Sequence, residues 1–516
     1  MPTRTRRTFP NARRAARTTV LSLSVVCAAC SVLLDRGSTQ CQSDADCAQF
    51  GAHPFCRGGV CAPSGLGPQN CTFGAPREPG DFLNGCSTAE CLSFDNCQRL
   101  GLCDDASNLT SPLVPPPAAS APAGAVSASD AGSSPPSCAN ANGGRDKIMV
   151  LTGSSNFPPL LSKLAPLLVG TGFVPVFQVT SSCAGVKSMY ASSTAGTLVD
   201  PAPGSNGRYA AYFQADGTQV PCSLGPQGAV VDVGESDIFA STCGVDTSAG
   251  GVGEYLGPIQ SMAFVVPGQS HQTAITAEAA RAVFGMGGTN ASPWTDPSLY
   301  FVRNANTGTQ QMIGRAIDVP ANAFWGTDRG TAANVDALLR VIADPALADR
   351  SIGIISTDFY DADRDNLRAL AFKAPGQSCA YLPDSTEFKK DKQNVRDGHY
   401  PVWGPIHFFA AVADGVPVSP AAQAFVSVVS VPNVPRALLD AFIASSLVPT
   451  CAMGVKRDAE LGPLSAFQPP FECGCYFEAS PSVNGAAPAG CAPCNTANDC
   501  GDPARPACNL GYCEVQ

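Results

Sequence analysis

Val302-Arg303-Asn304-Ala305-Asn306-Thr307-Gly308-Thr309 decides how this chain is read. A guanidinium is followed, after three residues, by two hydroxyls on either side of a glycine. Arginine keeps its charge and presents a planar fork of donors that suits an oxyanion. Thr307 and Thr309 add hydroxyl donors, and Gly308 lets backbone N–H groups approach closely. A helix starting there would also aim its first N–H groups and the positive end of its dipole at an anion. An N-capped turn without a ligand fits the same residues, so the stretch gains meaning only from the rest of the chain.

The chain has 516 residues, more than one hydrophobic core usually holds, so two or more folded units are expected. Charged residues make up 14%, and glycine (50) and proline (45) are abundant, which suits a loop-rich α/β protein. The net charge of −10 lacks the basic footprint that a phosphate backbone needs, which argues against nucleic acid as a partner. A small anion stays open, because it responds to local donors rather than to net charge. Four histidines in the whole chain argue against a multi-histidine metal centre, and no metal or cofactor is assigned.

Residues 1–30 read as an export signal. Arg4, Arg6, Arg7, Arg13, Arg14 and Arg17 form a basic leader. The apolar run from Val20 to Ala29 is too short to span a bilayer. It ends in Cys27-Ala28-Ala29-Cys30, which resembles a bacterial lipobox, with Cys30 as the lipidated residue and Cys27 where leucine is usual. A cleaved secretion signal without lipid is the alternative. Of the 24 cysteines, 22 remain once Cys27 is removed and Cys30 is lipidated or lost, an even number able to close as disulfides in an oxidising compartment.

Residues 31–110 are cysteine-dense and nearly lack apolar periodicity, so disulfides would have to replace a core. Cys41, Cys47, Cys56 and Cys61 leave gaps of five, eight and four residues. In the C-terminal stretch 451–516, Cys494, Cys500, Cys508 and Cys513 leave gaps of five, seven and four. Both sets carry Asp before the second cysteine (Asp46, Asp499), Pro two before the third (Pro54, Pro506) and Gly two before the fourth (Gly59, Gly511). That pattern reads as an internal repeat. Zinc is the competing reading, but paired Cys-x-x-Cys knuckles are missing, so disulfide staples are favoured. Between the first module and the globular part, residues 111–137 are rich in Pro, Ala and Ser and read as a semi-extended linker.

Residues 138–450 alternate strands and helices. Lys147–Thr152 reads as a buried strand, Leu160–Leu168 as a helix opened by Pro158-Pro159, and Val174–Thr180 as a second strand leading to a helix from Gly185. Val230–Val233 and Met262–Val266 read as further strands. Thr276–Phe284 reads as a helix capped by Thr276, Val335–Ile342 as another, and Ser351–Ser356 as another strand. This alternation predicts α/β architecture with a parallel sheet, and polar or glycine-rich turns follow the strand ends where such sheets bind ligands.

Four of those turns, in order, resemble the periplasmic phosphate-binding proteins of ABC transporters. Gly153-Ser-Ser-Asn-Phe157-Pro158 is similar to the family's first loop, which ends Thr-Phe-Pro, with Asn156 at the Thr position. Ser181-Ser182-Cys183-Ala184-Gly185-Val186-Lys187 is similar to its Ser-Ser-Gly-Gly-Val-Lys loop. Val231–Asp237 is similar to the strand end that delivers its binding aspartate, and Arg303 with Thr307-Gly308-Thr309 to its Arg-x-x-x-Ser-Gly-Thr. Phe284-Gly285 and Trp294-Thr295-Asp296 fall in the expected interval, and Tyr400–Trp403 resembles a returning hinge strand. The resemblance implies a two-lobed, type II periplasmic-binding-protein-like domain with a hinge, flanked by small disulfide-rich N- and C-terminal modules. It implies an extracytoplasmic lipoprotein of the periplasm or cell surface that binds inorganic phosphate or a similar oxyanion and serves an ABC permease or a sensor. Asn156, Phe157, Ser182, Asp237, Arg303, Thr307, Gly308 and Thr309 would line the site. No catalytic residue is assigned.

Within that set, Asp237 is the unexpected member. An ionised carboxylate only accepts hydrogen bonds, so it needs a ligand that still carries a proton, as phosphate does and sulfate does not. A helix N-cap or a salt bridge to Arg303 would also account for it. A scaffold or adhesion protein that keeps the shape without a ligand is the alternative function, favoured by the cysteine repeats.

Overall fold

The computed structural model describes residues 44–47, 55–57, 60–62, 71–72, 76–103, 112–116, 135–142, 147–190, 196–202, 208–430, 434–488 and 490–515. Two compact units emerge, one of residues 1–72 with 86–88 and one of residues 73–85 with 89–516. Residues 89–103 and the whole C-terminal cysteine-rich stretch thus belong to the second unit. Cys30 and Cys41 lie outside the described residues. Among the described residues, no helix is long and apolar enough to cross a membrane.

In the first unit a 3-10 turn at Asp44–Cys47 precedes a hairpin of Phe55–Arg57 and Val60–Ala62, in which Cys56 lies opposite Cys61. Cys47 is disulfide-bonded, and Cys71 bonds Cys86. The second unit holds the counterpart of that hairpin. A 3-10 turn at Ala497–Asp499 precedes strands Ala507–Asn509 and Tyr512–Glu514, with Cys508 opposite Cys513. There Cys494 bonds Cys508 and Cys500 bonds Cys513, so the thiols a metal would need are consumed. Matching turn residues at matching offsets produce the same local structure twice.

The body of the second unit is a mixed, 12-stranded sheet. In chain order its parts are β1 (Ile148–Gly153), α1 (Phe157–Val169), β2 (Val174–Val179), α2 (Ser182–Tyr190), β3 (Ala210–Phe213) and β4 (Gln219–Cys222). Then come β5 (Val233–Ser236), β6 (Val252–Pro267), α3 (Ala277–Met286), β7 (Tyr300–Val302), α4 (Gly308–Ala316), β8 (Thr327–Asp328) and α5 (Ala332–Leu339). Last are β9 (Ile352–Ser356), α6 (Thr357–Ala362), β10 (Leu367–Ala369), β11 (Trp403–Ala413), α7 (Pro420–Val429) and α8 (Arg436–Ala444). The strands lie in the order β8-β7-β9-β6-β11-β5-β1-β2-β3-β4, with β10 pairing β6 and the short twelfth strand, Val416–Pro417, pairing β11.

Two half-sheets share one pair of long strands. β1, β2 and β5 run parallel in one half, and β7, β8 and β9 run parallel in the other. β6 pairs β11 through Val252–Ser261, then β9 and β10 through Met262–Pro267. Its register against β11 shifts between Leu256 and Ile259, where the strand bends from one half to the other. Because β6 and β11 are antiparallel to their neighbours, the sheet is mixed rather than parallel as expected.

Local chemistry explains the elements. β1 is buried along its whole length, as its unbroken apolar run requires. α1 has Pro158 and Pro159 in its first turn and turns Leu160, Leu161, Leu164, Ala165 and Leu168 toward β1, Phe408 and Phe425. Thr276 caps α3 by accepting from Ala279 N, as anticipated. Two strand expectations need correction. The run Met262–Val266 is only the end of a 16-residue strand, whose first five residues are half-buried or exposed and whose first half contains Gly253 and Gly257. The run Val230–Val233 divides: Ala229–Val230 pairs with Thr197–Leu198, and the sheet strand begins at Val233.

Disulfides fix the segments around this sheet. Cys91 bonds Cys379, Cys97 bonds Cys103 and Cys138 bonds Cys222. Cys451 bonds Cys473, and Cys475 bonds Cys491. Cys183, in the first turn of α2, bonds Cys243 across 60 residues. Replacing both Cys183 and Cys243 by serine is expected to cost about 2–4 kcal/mol, read as a lower urea midpoint of the oxidised protein. An unchanged midpoint would show that sheet packing alone holds these two segments together.

Candidate functional site

Three strand ends and three helix starts meet at one buried carboxylate. β1 ends at Gly153, and Ser154-Ser155-Asn156 leads into α1. β5 ends at Ser236, leaving Asp237 as the next residue. β7 ends at Val302, so Arg303 follows it directly, and Thr307 precedes the first residue of α4. α2 begins at Ser182.

Asp237 is 1% exposed, and its Oδ2 accepts from Ser154 Oγ (2.6 Å), Asn156 Nδ2 (3.1 Å) and Ser182 Oγ (3.2 Å). Ser182 Oγ in turn accepts from Gly308 N at 2.9 Å, which joins the first half to α4 of the second. Asn156 Nδ2 also donates to Thr309 Oγ1 at 3.3 Å. Gly308 explains the glycine of the opening motif. A Cβ there would fall 2.7 Å from Asp237 Cβ and 2.8 Å from both Asp237 Oδ2 and Ser182 Oγ, so no other residue permits this approach.

Arg303 is 2% exposed. Its Nε donates to Gly330 O (3.0 Å) and its Nη2 to Ser155 Oγ (2.8 Å), while its backbone N–H donates to Gln310 Oε1 (2.9 Å). Arg303 Nη1, Asp237 Oδ1 and Asn156 Oδ1 are buried without a hydrogen-bond partner among the described residues. One donor and two acceptors are thereby left over where the two halves face each other.

Of the residues expected to line the site, Asn156, Ser182, Asp237, Gly308 and Thr309 lie within one network. Arg303 reaches it through Ser155 and through its charge on Asp237. The Thr307 hydroxyl donates instead to Asn304 O at 2.8 Å, shaping the turn. The Phe157 ring packs against Phe177 and Phe408 in the core, and its N–H donates to Ser154 O, so its side chain is structural. Cys183 contributes a disulfide rather than a pocket lining.

Electrostatically the site is rich in acids that sequence reading did not single out. Glu235 is 0% exposed, and its Oε2 accepts from Ser154 N at 2.6 Å. Burial, with the charge on Asp237 adding to it, pushes its carboxyl well above the usual range. Asp237 is also raised, chiefly by burial, against the donors Ser154 and Ser182 and the charge of Arg303. Asp358, which accepts from Gln260 Nε2, and Glu460, which accepts from Phe239 N, are both pushed by burial to about 7. Burial lowers Arg303 to about 10, so it stays charged at neutral pH. Glu235 stood inside a quoted motif, two residues before Asp237 and thus on the same face of an extended strand. Glu460 lay beyond the resemblance and gave no local signal.

No family model and no curated protein matches this chain. Among solved structures it is similar to a Clostridium perfringens protein described as a phosphate ABC-transporter substrate-binding protein with bound phosphate. That similarity is 11% identity and a TM-score of 0.36 over 59% of this chain and 99% of that one. An ABC-type phosphate transport receptor from Vibrio cholerae gives 11% identity and a TM-score of 0.37 over 58% and 99%. An OxyR mutant from Corynebacterium glutamicum gives 9% and 0.32 over 60% and 69%. The reading of the site rests on its geometry.

Two outcomes follow from this geometry. Gly308→Ala is expected to lower stability by about 1–3 kcal/mol in urea unfolding, because the new methyl overpacks Asp237 and Ser182. The second concerns pH. Glu235, Asp358 and Glu460 keep protons that the unfolded chain sheds, so folding stability falls as pH rises from about 5 through their folded-state values. A calorimetric Tm that rises between pH 5.5 and 8.5 would contradict the burial of neutral acids here.

Proposed function

We propose that this chain is an extracytoplasmic solute-binding protein that closes its two halves on phosphate or a related oxyanion. The observation that carries this reading is the pairing of Arg303 Nη1, a buried donor, with Asp237 Oδ1, a buried acceptor, at the junction of the halves. A phosphate that still carries a proton can answer both: it accepts from the guanidinium and donates that proton to the carboxylate. Ser182, Asn156 and Thr309, together with the N–H groups in the first turn of α4, would supply the remaining donors. Sulfate has no proton for Asp237 and would leave a buried acceptor unpaired, which is costly. The role is binding rather than catalysis, delivering the ligand to an ABC permease or reporting it to a sensor. Lipidation at Cys30 would hold the protein at a membrane, in the periplasm or at the cell surface.

One observation favours a second reading. Ser154, Asn156 and Ser182 already donate to Asp237 Oδ2, as they would in a surface scaffold that has kept the fold without a ligand. Calorimetric titration of phosphate into the full-length, ligand-stripped protein at neutral pH decides between them. Saturable binding is expected, absent with sulfate and weakened about 10–100-fold by Asp237→Asn, the range for a hydrogen bond to a charged group. A flat trace from folded protein would place the scaffold reading first.

A further inference from the structure

We infer that Glu235 is a specificity-determining residue: with Asp237 it forms a carboxyl pair that holds one proton, and the charge of that pair restricts the site to a singly charged, proton-carrying oxyanion such as dihydrogen phosphate. This inference rests on the oxyanion reading above and adds a residue to it.

The geometry makes room for the pair deliberately. At the end of β5, Glu235 and Asp237, the residue just past the strand, are two residues apart and share a face, while Ser236 turns away and donates to Ile238 O. A Cβ at Gly153 would fall 2.3 Å from Glu235 Oε2, and one at Gly185 would fall 2.1 Å from Glu235 O. Gly153 thus makes room for the Glu235 carboxyl itself, and Gly185 for the backbone that carries it. Ser154 bridges the two carboxyls, donating its N–H to Glu235 Oε2 and its hydroxyl to Asp237 Oδ2, each at 2.6 Å. The remaining oxygens, Glu235 Oε1 and Asp237 Oδ1, are both buried without a partner among the described residues.

Charge decides what such a pair does. Two fully buried carboxylates in contact cannot both ionise, so the pair carries −1 and one shared proton. From β7, Arg303 acts on Asp237; from α6, Asp358 does, and from the C-terminal stretch, Glu460. Arg457 and Arg315 act on Glu460, and His407 on β11 is held by Glu254. α2 presents the Ser182 hydroxyl. Arg303 therefore balances the singly protonated pair, leaving a neutral site that takes a monoanion. Loss of the shared proton makes the site net negative, and an anion is then repelled.

Phosphate titration calorimetry from pH 5.5 to 9 on the full-length wild type and on Glu235→Gln tests this. Glutamine keeps the size and fixes the pair at −1, while Asp358, Glu460 and the ligand titrate alike in both proteins. At pH 5.5 the two are expected to bind within about threefold, and at pH 9 the variant is expected to bind at least about tenfold tighter, one ionisation being worth about tenfold per pH unit. Parallel curves would overturn the role of Glu235 while leaving the oxyanion reading intact. Absence of binding by folded wild type at every pH would overturn both. If the variant does not fold, infrared difference spectra of wild type decide: a protonated-carboxyl stretch that shifts on adding phosphate supports the pair, and its absence overturns it.

Discussion

Burying Asp237 without leaving its charge unanswered is the constraint from which the rest of the site follows. An isolated carboxylate in a protein interior is costly unless donors converge on it. Here the donors come from three places that are far apart in sequence: Ser154 and Asn156 before α1, Ser182 at the start of α2, and Arg303 through its charge. Parallel strands put those turns at one edge of the sheet. Gly308 completes the arrangement by giving up a side chain, so that the backbone of α4 can reach Ser182 across the junction.

The long antiparallel pair β6–β11 is what allows the two halves to meet there. Each half has its own apolar packing: Leu160, Leu164 and Phe425 on one side, Phe301, Val335 and Leu339 on the other. The C-terminal stretch adds a second connection. Arg457 donates to Pro401 O (2.9 Å) and Trp403 O (3.2 Å) and lies 4.1 Å over the Trp403 ring, at the start of β11. Three residues on, Glu460 accepts from Phe239 N just past Asp237. Cysteine-rich sequence that looks like an appendage therefore contributes a buried acid to the back of the site.

What could be read from sequence divides along the range of the interactions involved. Thr276 as a cap, Pro158-Pro159 as a helix opening and the four-cysteine repeat are local codes, and each produces the structure expected of it. The loops carrying Asn156, Ser182, Asp237 and Thr309 were also legible, and the sheet brings them together. Misreadings occurred where distant partners decide. Gly253 and Gly257 hide the first half of β6, which exists because β11 pairs with it. Glu460 has no pattern around it at all.

Glu235 shows why the chemistry of such a site is harder to read than its outline. In a strand-end motif an acid two residues before another acid reads as a solvated edge, the ordinary place for carboxylates. Only the folded arrangement reveals that Gly153 leaves room for its carboxyl, and that Ser154 ties it to Asp237. With half-buried Asp358 and buried Glu460 also nearby, the site holds more acids than Arg303 can neutralise. That surplus is compatible with an anion only because burial keeps several of these carboxyls protonated. The proton, rather than a further cation, is what lets this site be both acidic in composition and receptive to negative charge.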